Sequence, residues 1–441
     1  MRQMPHGEKE EEPHMKTKRI LSLLMAGALL TGALTGCGSK KDDSAQSGDN
    51  SGVITINYPT FQCGTNTSAP VCDELIKEFN EKYAGKYEIK KEDVPGDQNY
   101  IDKIKVQLGT GDLPPVIYGG GYNLLDMVVA KDLAVDLTDA VNSDADWKAL
   151  YSDTALATNS RDGKIYASSM EGQVIGYFYN KDLFQQAGIT ETPETWTEFM
   201  EACQKLKDAG INAVTCDDAY MTLIPNNYLA RLVGSDTIAA MSASASDPAW
   251  QSEEVKQAFA AMETLSPFMS PQTATNKYPA GQQEFALGEA AMYLNASWMP
   301  SEVADTAGED FPWGFFAFPQ VEDGAEGSGY VSVGGVPLAV YSGSPNPEAA
   351  KEFLRYVASK EVQDYLAEQG GAPATVGSEW PGARAECTDV IAAADKVASL
   401  NCDLSSEFVS AVFTMEMNKV LTQQTTADKA VSTLTGEASK Y

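Results

Sequence analysis

The sequence predicts an α/β protein built as two α/β domains that close around a hinged cleft. Three observations carry this expectation. Strand and helix patterns alternate three times between Val53 and Ala130, which calls for a parallel sheet covered by helices. The roughly 390 residues from Val53 onward exceed what a single core usually holds. Strands return after a long helical interval, so the chain must cross between domains more than once.

The first strand pattern is "VITINY" (53 to 58), alternating and β-branched. In "VCDELIKEFNEKY" (71 to 83), Val71, Leu75, Phe79 and Tyr83 make one apolar stripe at i+4 spacing, so this is a helix. A strand at 86 to 94, a helix at 99 to 109, a strand at 115 to 119 and a helix at 122 to 130 follow. After a β-rich passage at 163 to 180, Thr192 and Pro193 read as N-cap and first turn of a helix that stops at Gly210. Strands are expected at 211 to 216, 290 to 295, 313 to 318 and 330 to 341, and Asn346-Pro347 opens the first of about four closing helices.

The N-terminal segment has its own logic. Lys16, Lys18 and Arg19 precede the uncharged run Ile20 to Thr35, which matches a secretory signal whose real start is Met15. As a helix the run is about 24 Å long, short of the roughly 30 Å hydrocarbon core, so a permanent span is the weaker reading. Residues 38 to 52 are too polar to join a core and should form a flexible tether.

Composition narrows the chemistry. The only histidines, His6 and His14, lie upstream of the cleavage site, which removes imidazole catalysis and histidine-ligated zinc. Neither a GxSxG elbow nor a Walker loop is present. Carboxylate chemistry, oxygen-ligated calcium or plain binding are what remain, and no metal site or cofactor is expected. A formal charge of −30 argues against nucleic acid as partner. Six cysteines after Cys37 fall into close pairs, so in an oxidising setting Cys63–Cys72, Cys203–Cys216 and Cys387–Cys402 are the expected disulfides, with buried thiols as the alternative.

Ligands of open parallel sheets bind at the carboxyl ends of strands, here the loops 59 to 63, 95 to 99 and 118 to 123. These offer Phe61, Asp97, Gln98, Asn99, Tyr118 and Tyr122, with a glycine run at 119 to 121. Asp97, Gln98 and Asn99 could bind hydroxyls or merely cap the next helix.

The series "GKIYASSMEGQVIGYFYNKDLFQQAGI", "TPETWTEFMEACQKLKDAGI", "FALGEAAMYLNASWM", "WGFFAFP" and "GGVPLAVY", followed by "NPEAAKEFLRYVASKEVQDYLAEQGGAPA", resembles the family 1 extracellular solute-binding proteins, the carbohydrate receptors of ABC importers. The resemblance runs from about 53 to 440. It implies a type II periplasmic-binding-protein-like fold with three crossovers, a sugar between the lobes and delivery to a permease. It divides the chain into a signal peptide (1 to 36), a tether (37 to 52), an N-lobe (53 to 160 plus 291 to 345) and a C-lobe (161 to 290 plus 346 to 441).

Leu34-Thr35-Gly36-Cys37 resembles the bacterial lipobox, which implies lipidation (palmitate among the acyl groups) at Cys37 and a lipoprotein on the outer face of a Gram-positive cell membrane. Trp298 in "NASW" matches the family's cleft tryptophan. A sugar needs aromatic planes for its C–H faces and planar amides or carboxylates for its hydroxyl rim. Glu171, placed just before a crossover strand, suits the rim; Phe61, Tyr118, Tyr122, Tyr177 and Trp313 are ring candidates, each also a candidate for packing. Gly334 and Gly335 would present backbone near the hinge. A monomer that binds a mono- or oligosaccharide without turnover is expected. The alternatives are a carboxylate glycosidase using Glu171 and Asp97, or a binder of non-sugar solutes, whose anionic forms would need Arg161 or Arg231.

Overall fold

A computed structural model describes residues 52–120, 124–151, 153–308, 311–375, 377–380, 384–404 and 406–441. The signal segment, Cys37 and Tyr122 lie outside the described residues. In chain order the elements that position the site are β1 (Ile54–Thr60), α1 (Ala69–Lys82), β2 (Tyr87–Asp93), α2 (Asp97–Thr110), β3 (Val116–Tyr118), β4 (Ala167–Asn180), α3 (Trp196–Asp208), β5 (Asn212–Thr215), α4 (Ala280–Ala286), β6 (Ala290–Ala296), α5 (Met299–Ala307), β7 (Trp313–Ala317), β8 (Tyr330–Val340), α6 (Pro347–Val357) and β9 (Lys396–Ala398).

The opening βαβ unit follows its pattern closely. Cys72, Leu75, Ile76 and Phe79 form the buried stripe of α1, which lies over the parallel pair of β1 and β2, in register from Ile54 opposite Tyr87 to Thr60 opposite Asp93. That pair is a sheet of its own; the larger sheet mixes directions, parallel where β5 meets β6 and where β8 meets β9 and antiparallel along β4, which departs from the expected parallel order. β4 runs antiparallel to β6, β7 and β8, and β8 is antiparallel to β3. A strand that returns from the other lobe enters the sheet from the opposite end, so crossing strands reverse direction.

β4 and β8 are those crossing strands. In the first lobe Ala167, Ser168 and Ser169 pair with Ala339, Leu338 and Pro337; further along, Val174 pairs with Val333. Beyond that point β4 is flanked by β6 and β7, with Tyr177 opposite both Leu294 and Phe316. The register shifts between Gly335 and Pro337, where the chain passes from one lobe to the other. Two glycines are required at this level. A Cβ on Gly172 would sit 2.9 Å from the Pro373 carbonyl oxygen, and one on Gly335 would sit 2.7 Å from that of Glu171. The Gly172 amide donates to the Ala372 carbonyl at 2.9 Å, so a third segment passes at the same height.

The cores divide the chain differently from the expected boundaries. Ile56, Phe79, Val116, Leu338, Phe353 and Val357 form the first-lobe cluster, while Trp196, Phe199, Met292, Leu294, Phe316 and Phe413 belong to the second. Residues 290 to 317 therefore sit in the second lobe, because β6 and β7 zip onto the far half of β4. Helix α6 sits in the first lobe, because Phe353 packs edge-on against Tyr58 with ring centroids 5.4 Å apart. The cap of α3 also moves: Thr195, not Thr192, accepts from the Glu198 amide while the Glu198 carboxylate takes the Thr195 amide, a full capping box.

The expected disulfides are not formed. Cys63, Cys72, Cys203, Cys216, Cys387 and Cys402 are free and buried. Cys387 and Cys402 even belong to different hydrophobic clusters. A buried thiol packs as a small hydrophobe, and burial raises the pKa of Cys72 to about 12 and of Cys402 to about 11, well above the reactive range. These six thiols should resist an aromatic disulfide reagent in the native protein and react once guanidinium unfolds it; fast native labelling would contradict the burial.

Candidate functional site

The first lobe brings three strand ends to one place. Phe61 follows β1, Asp97 opens α2 after β2, and Tyr118 closes β3. The rings of Phe61 and Tyr118 lie 4.8 Å apart, and the Tyr118 amide donates to the Tyr100 hydroxyl at 2.8 Å, so the β3 end is held firmly. Asp97 lies at the open mouth, where its carboxyl is raised by desolvation and in turn raises Tyr118. Glu171 is buried at the crossing, and burial pushes its carboxyl up to about 7 against the opposing pull of the Ala372 amide. It also acts on Tyr118, which puts it in the same group. Gln98 and Asn99 are occupied locally, Gln98 with Asp102 at 2.8 Å and Asn99 with the Pro95 carbonyl at 2.6 Å.

The second lobe supplies a row of rings. Trp298 sits where β6 turns into α5, half-buried. Its ring centroid is 6.0 Å from that of Tyr220, which lies 5.6 Å edge-on from Tyr278. One helical turn beyond Trp298, Glu302 is pushed up to about 7 by desolvation, with Tyr278 and Gln282 against it and the charges of Asp217 and Asp97 adding to the rise. The charge of Asp97, in the first lobe, also raises Glu302 and Tyr220. Behind the rings Asp217 is fully buried; the Tyr293 hydroxyl donates to its Oδ2 at 2.9 Å. Asp217 Oδ1, Gln282 Oε1, Glu302 Oε2 and Asn295 Nδ2 have no hydrogen-bond partner, although unpaired buried polar atoms are rare in folded proteins.

Several expected residues stand elsewhere. Tyr177 is a core residue, fully buried between Phe199 (4.8 Å) and Phe316 (5.4 Å), because alternation along β4 points it into the second-lobe core. Trp313 opposes Asn180 at the far end of β4 and packs on Phe178 at 5.5 Å, away from the crossing. Gly335 acts by letting β8 approach Glu171. Arg161 pairs with Asp126, and Arg231 is buried between the rings of Phe318 and Tyr330, so neither faces the cleft. Tyr220, Tyr278, Gln282, Asp217 and Glu302 were not anticipated. The carboxyl-end argument applied to β5 would have found Asp217 and Tyr220, and helical spacing from Trp298 would have found Glu302; Tyr278 and Gln282 carry no local signal.

The raised carboxyls couple stability to pH. The Glu171 carboxyl rises from its ordinary 4.5 to about 7, so its stabilising contribution is fully present below about pH 4.5 and is lost as pH rises through about 7. Glu171→Gln should remove this dependence and stabilise the unliganded protein above pH 7 by about 3 kcal/mol at most. Chemical unfolding of both proteins across that pH range checks it; parallel curves would place Glu171 in water.

Two α/β lobes, three crossings and a cleft lined with rings and carboxyls define a two-lobed receptor for a small solute. The chain belongs to the bacterial extracellular solute-binding protein family, whose pattern matches residues 66–364. It is 25% identical over 372 residues to the diacetylchitobiose binding protein DasA of Streptomyces coelicolor, covering 81% of each chain. It is 22% identical over 366 residues to a galactooligosaccharide-binding protein of Bacillus subtilis, covering 79% of this chain and 78% of that one. Among solved structures, a chitin oligosaccharide binding protein superposes with a TM-score of 0.72 at 21% identity, over 88% of this chain and 98% of that one. A receptor, RafE, solved with raffinose matches at 0.67 and 20% identity, over 87% and 98%.

Proposed function

We propose that this protein captures a sugar or oligosaccharide between its lobes and delivers it, unchanged, to the permease of an ABC importer. The observation that carries the reading is the continuous row Trp298, Tyr220 and Tyr278, faced across the cleft by Asp97, with polar atoms around it left unpaired. Ring faces suit the C–H faces of a sugar, and unpaired buried acceptors suit its hydroxyls. Relatives across four-fifths of the chain are named for oligosaccharide binding, which supports the same solute class. Glu171 at the crossing, with Phe61 and Tyr118 beside it, completes the first-lobe side.

The lipobox at Leu34 to Cys37 and the polar tether after it support a lipid-anchored receptor on the outer face of the membrane of a Gram-positive cell. Anchorage raises the receptor's effective concentration at the permease. Labelled palmitate should enter the wild-type protein in cells and not Cys37→Ser; equal labelling would move the anchor elsewhere.

Calorimetry against chito-, galacto- and raffinose-type oligosaccharides tests the reading. A sugar ligand should bind with one-to-one stoichiometry, change tryptophan fluorescence and be recovered intact after long incubation. Trp298→Ala should weaken it at least about tenfold, the loss expected when a stacking plane is removed. Hydrolysis products would instead favour a glycosidase using the raised carboxyls Glu171 and Asp97.

A further inference from the structure

We propose that the cleft selects an amino sugar, a saccharide carrying a protonated amine, held by the carboxyls of Glu302 and Asp217 with Asp97 facing them from the other lobe. The inference rests on the sugar-receptor reading and names the class of sugar.

The cleft is one-sided in charge. Asp97, Glu171, Asp217 and Glu302 share it with the hydroxyls of Tyr118, Tyr220, Tyr278 and Tyr293, and the mutual influences among these groups run from acid to acid or acid to phenol. Among the described residues no lysine or arginine forms an ion pair with any of the four carboxyls. Lys277, the neighbour of Tyr278, is turned to solvent and paired with Asp218 at 2.7 Å. Arg384 donates from Nη2 to the Ser301 hydroxyl on α5 at 3.0 Å and forms no ion pair with Glu302.

A neutral sugar could satisfy such a site in part, yet the unpaired atoms are mostly acceptors. Gln282, only 4% exposed, leaves Oε1 without a donor while lying against Glu302 and Tyr278. Asp217, 0% exposed, leaves Oδ1 free, and Glu302 leaves Oε2 free. Their complement is a ligand group rich in donors, and an ammonium brings three donors and the missing positive charge together. Such a group would restore ionised carboxyls at neutral pH, so binding should release protons. The same arrangement rejects uronates and sugar phosphates, whose anionic groups would meet like charge.

Three disaccharides on one β-1,4-linked glucose frame separate the possibilities: chitobiose with free amines, its diacetylated form, and cellobiose. Calorimetry near neutral pH should give chitobiose an affinity at least about tenfold above both others, with proton release read from the dependence of the heat on buffer. Raising salt from about 0.15 M to about 1 M should erode that advantage only in part, since the charges are largely buried. Glu302→Gln and Asp217→Asn should each reduce the ratio of chitobiose to cellobiose affinity, whatever either does to cellobiose itself; the wild-type comparison stands even where a variant fails to fold. If cellobiose or diacetylchitobiose binds as tightly as chitobiose, the amine selectivity falls while the sugar receptor stands. Binding of neutral galacto- or raffinose-type sugars with none to chitobiose overturns it in the same way. No binding of any saccharide removes the receptor reading, and this inference with it.

Discussion

The antiparallel pairing of β4 with β8 is the contact on which the architecture depends. Both strands serve two cores at once: Met170 and Val336 pack in the first lobe, Val174 and Val333 in the second. Strands shared between two cores need a level at which side chains give way to backbone, and Gly172 and Gly335 supply it. Either glycine replaced by a larger residue would drive a Cβ into a carbonyl of a neighbouring crossing segment. Close contact between backbones, rather than a long linker, thus keeps the lobes together and confines their relative movement to a few peptide units.

That same level explains the electrostatics of the cleft. Glu171 lies one residue from Gly172, so the carboxyl is carried into the junction by the strand and loses its water there. Glu302 reaches a comparable state by another route, projecting from α5 into the group of Tyr278 and Gln282. Two lobes with separate folds thereby set weakly acidic groups in one space. Where the chain must bury a cation for structure it does so differently: Arg231 lies 4.8 Å from the Phe318 ring and 5.0 Å from the Tyr330 ring, with its guanidinium bonded to Asn227 and the Tyr330 carbonyl. The acids of the cleft are met by neutral donors instead: the Tyr293 hydroxyl at Asp217, the Ala372 amide at Glu171, and Tyr278 with Gln282 at Glu302.

Much of this was legible in the chain. Elements with strong local patterns, such as α1 and β8, lie within a few residues of their expected bounds, because the periodic burial of Leu75 and Phe79 or the valine-rich stretch at 331 to 340 is local information. Strand direction was not legible, since it depends on which lobe a strand returns from. Lobe membership failed for the same reason: nothing within 290 to 317 indicates that β6 and β7 pair with the second half of β4. In the candidate site, Trp298, Glu171, Asp97, Phe61 and Tyr118 came from loop position and resemblance. Tyr278 and Gln282 are brought to Trp298 only by the packing of α4 against α5, a tertiary fact with no local pattern. Tyr177 was misplaced because strand parity, which decides whether a ring faces cleft or core, depends on a register set by the partner strands.

The unbonded cysteines have a consequence for how such a chain matures. None of the six contributes a covalent cross-link; all are buried, and five of them pack within hydrophobic clusters. Assembly outside the cell then requires no oxidoreductase and no correct choice among thiol pairs. The native state is then held by apolar packing without cross-links, and its sulfur atoms are closed off from the redox poise of the surroundings.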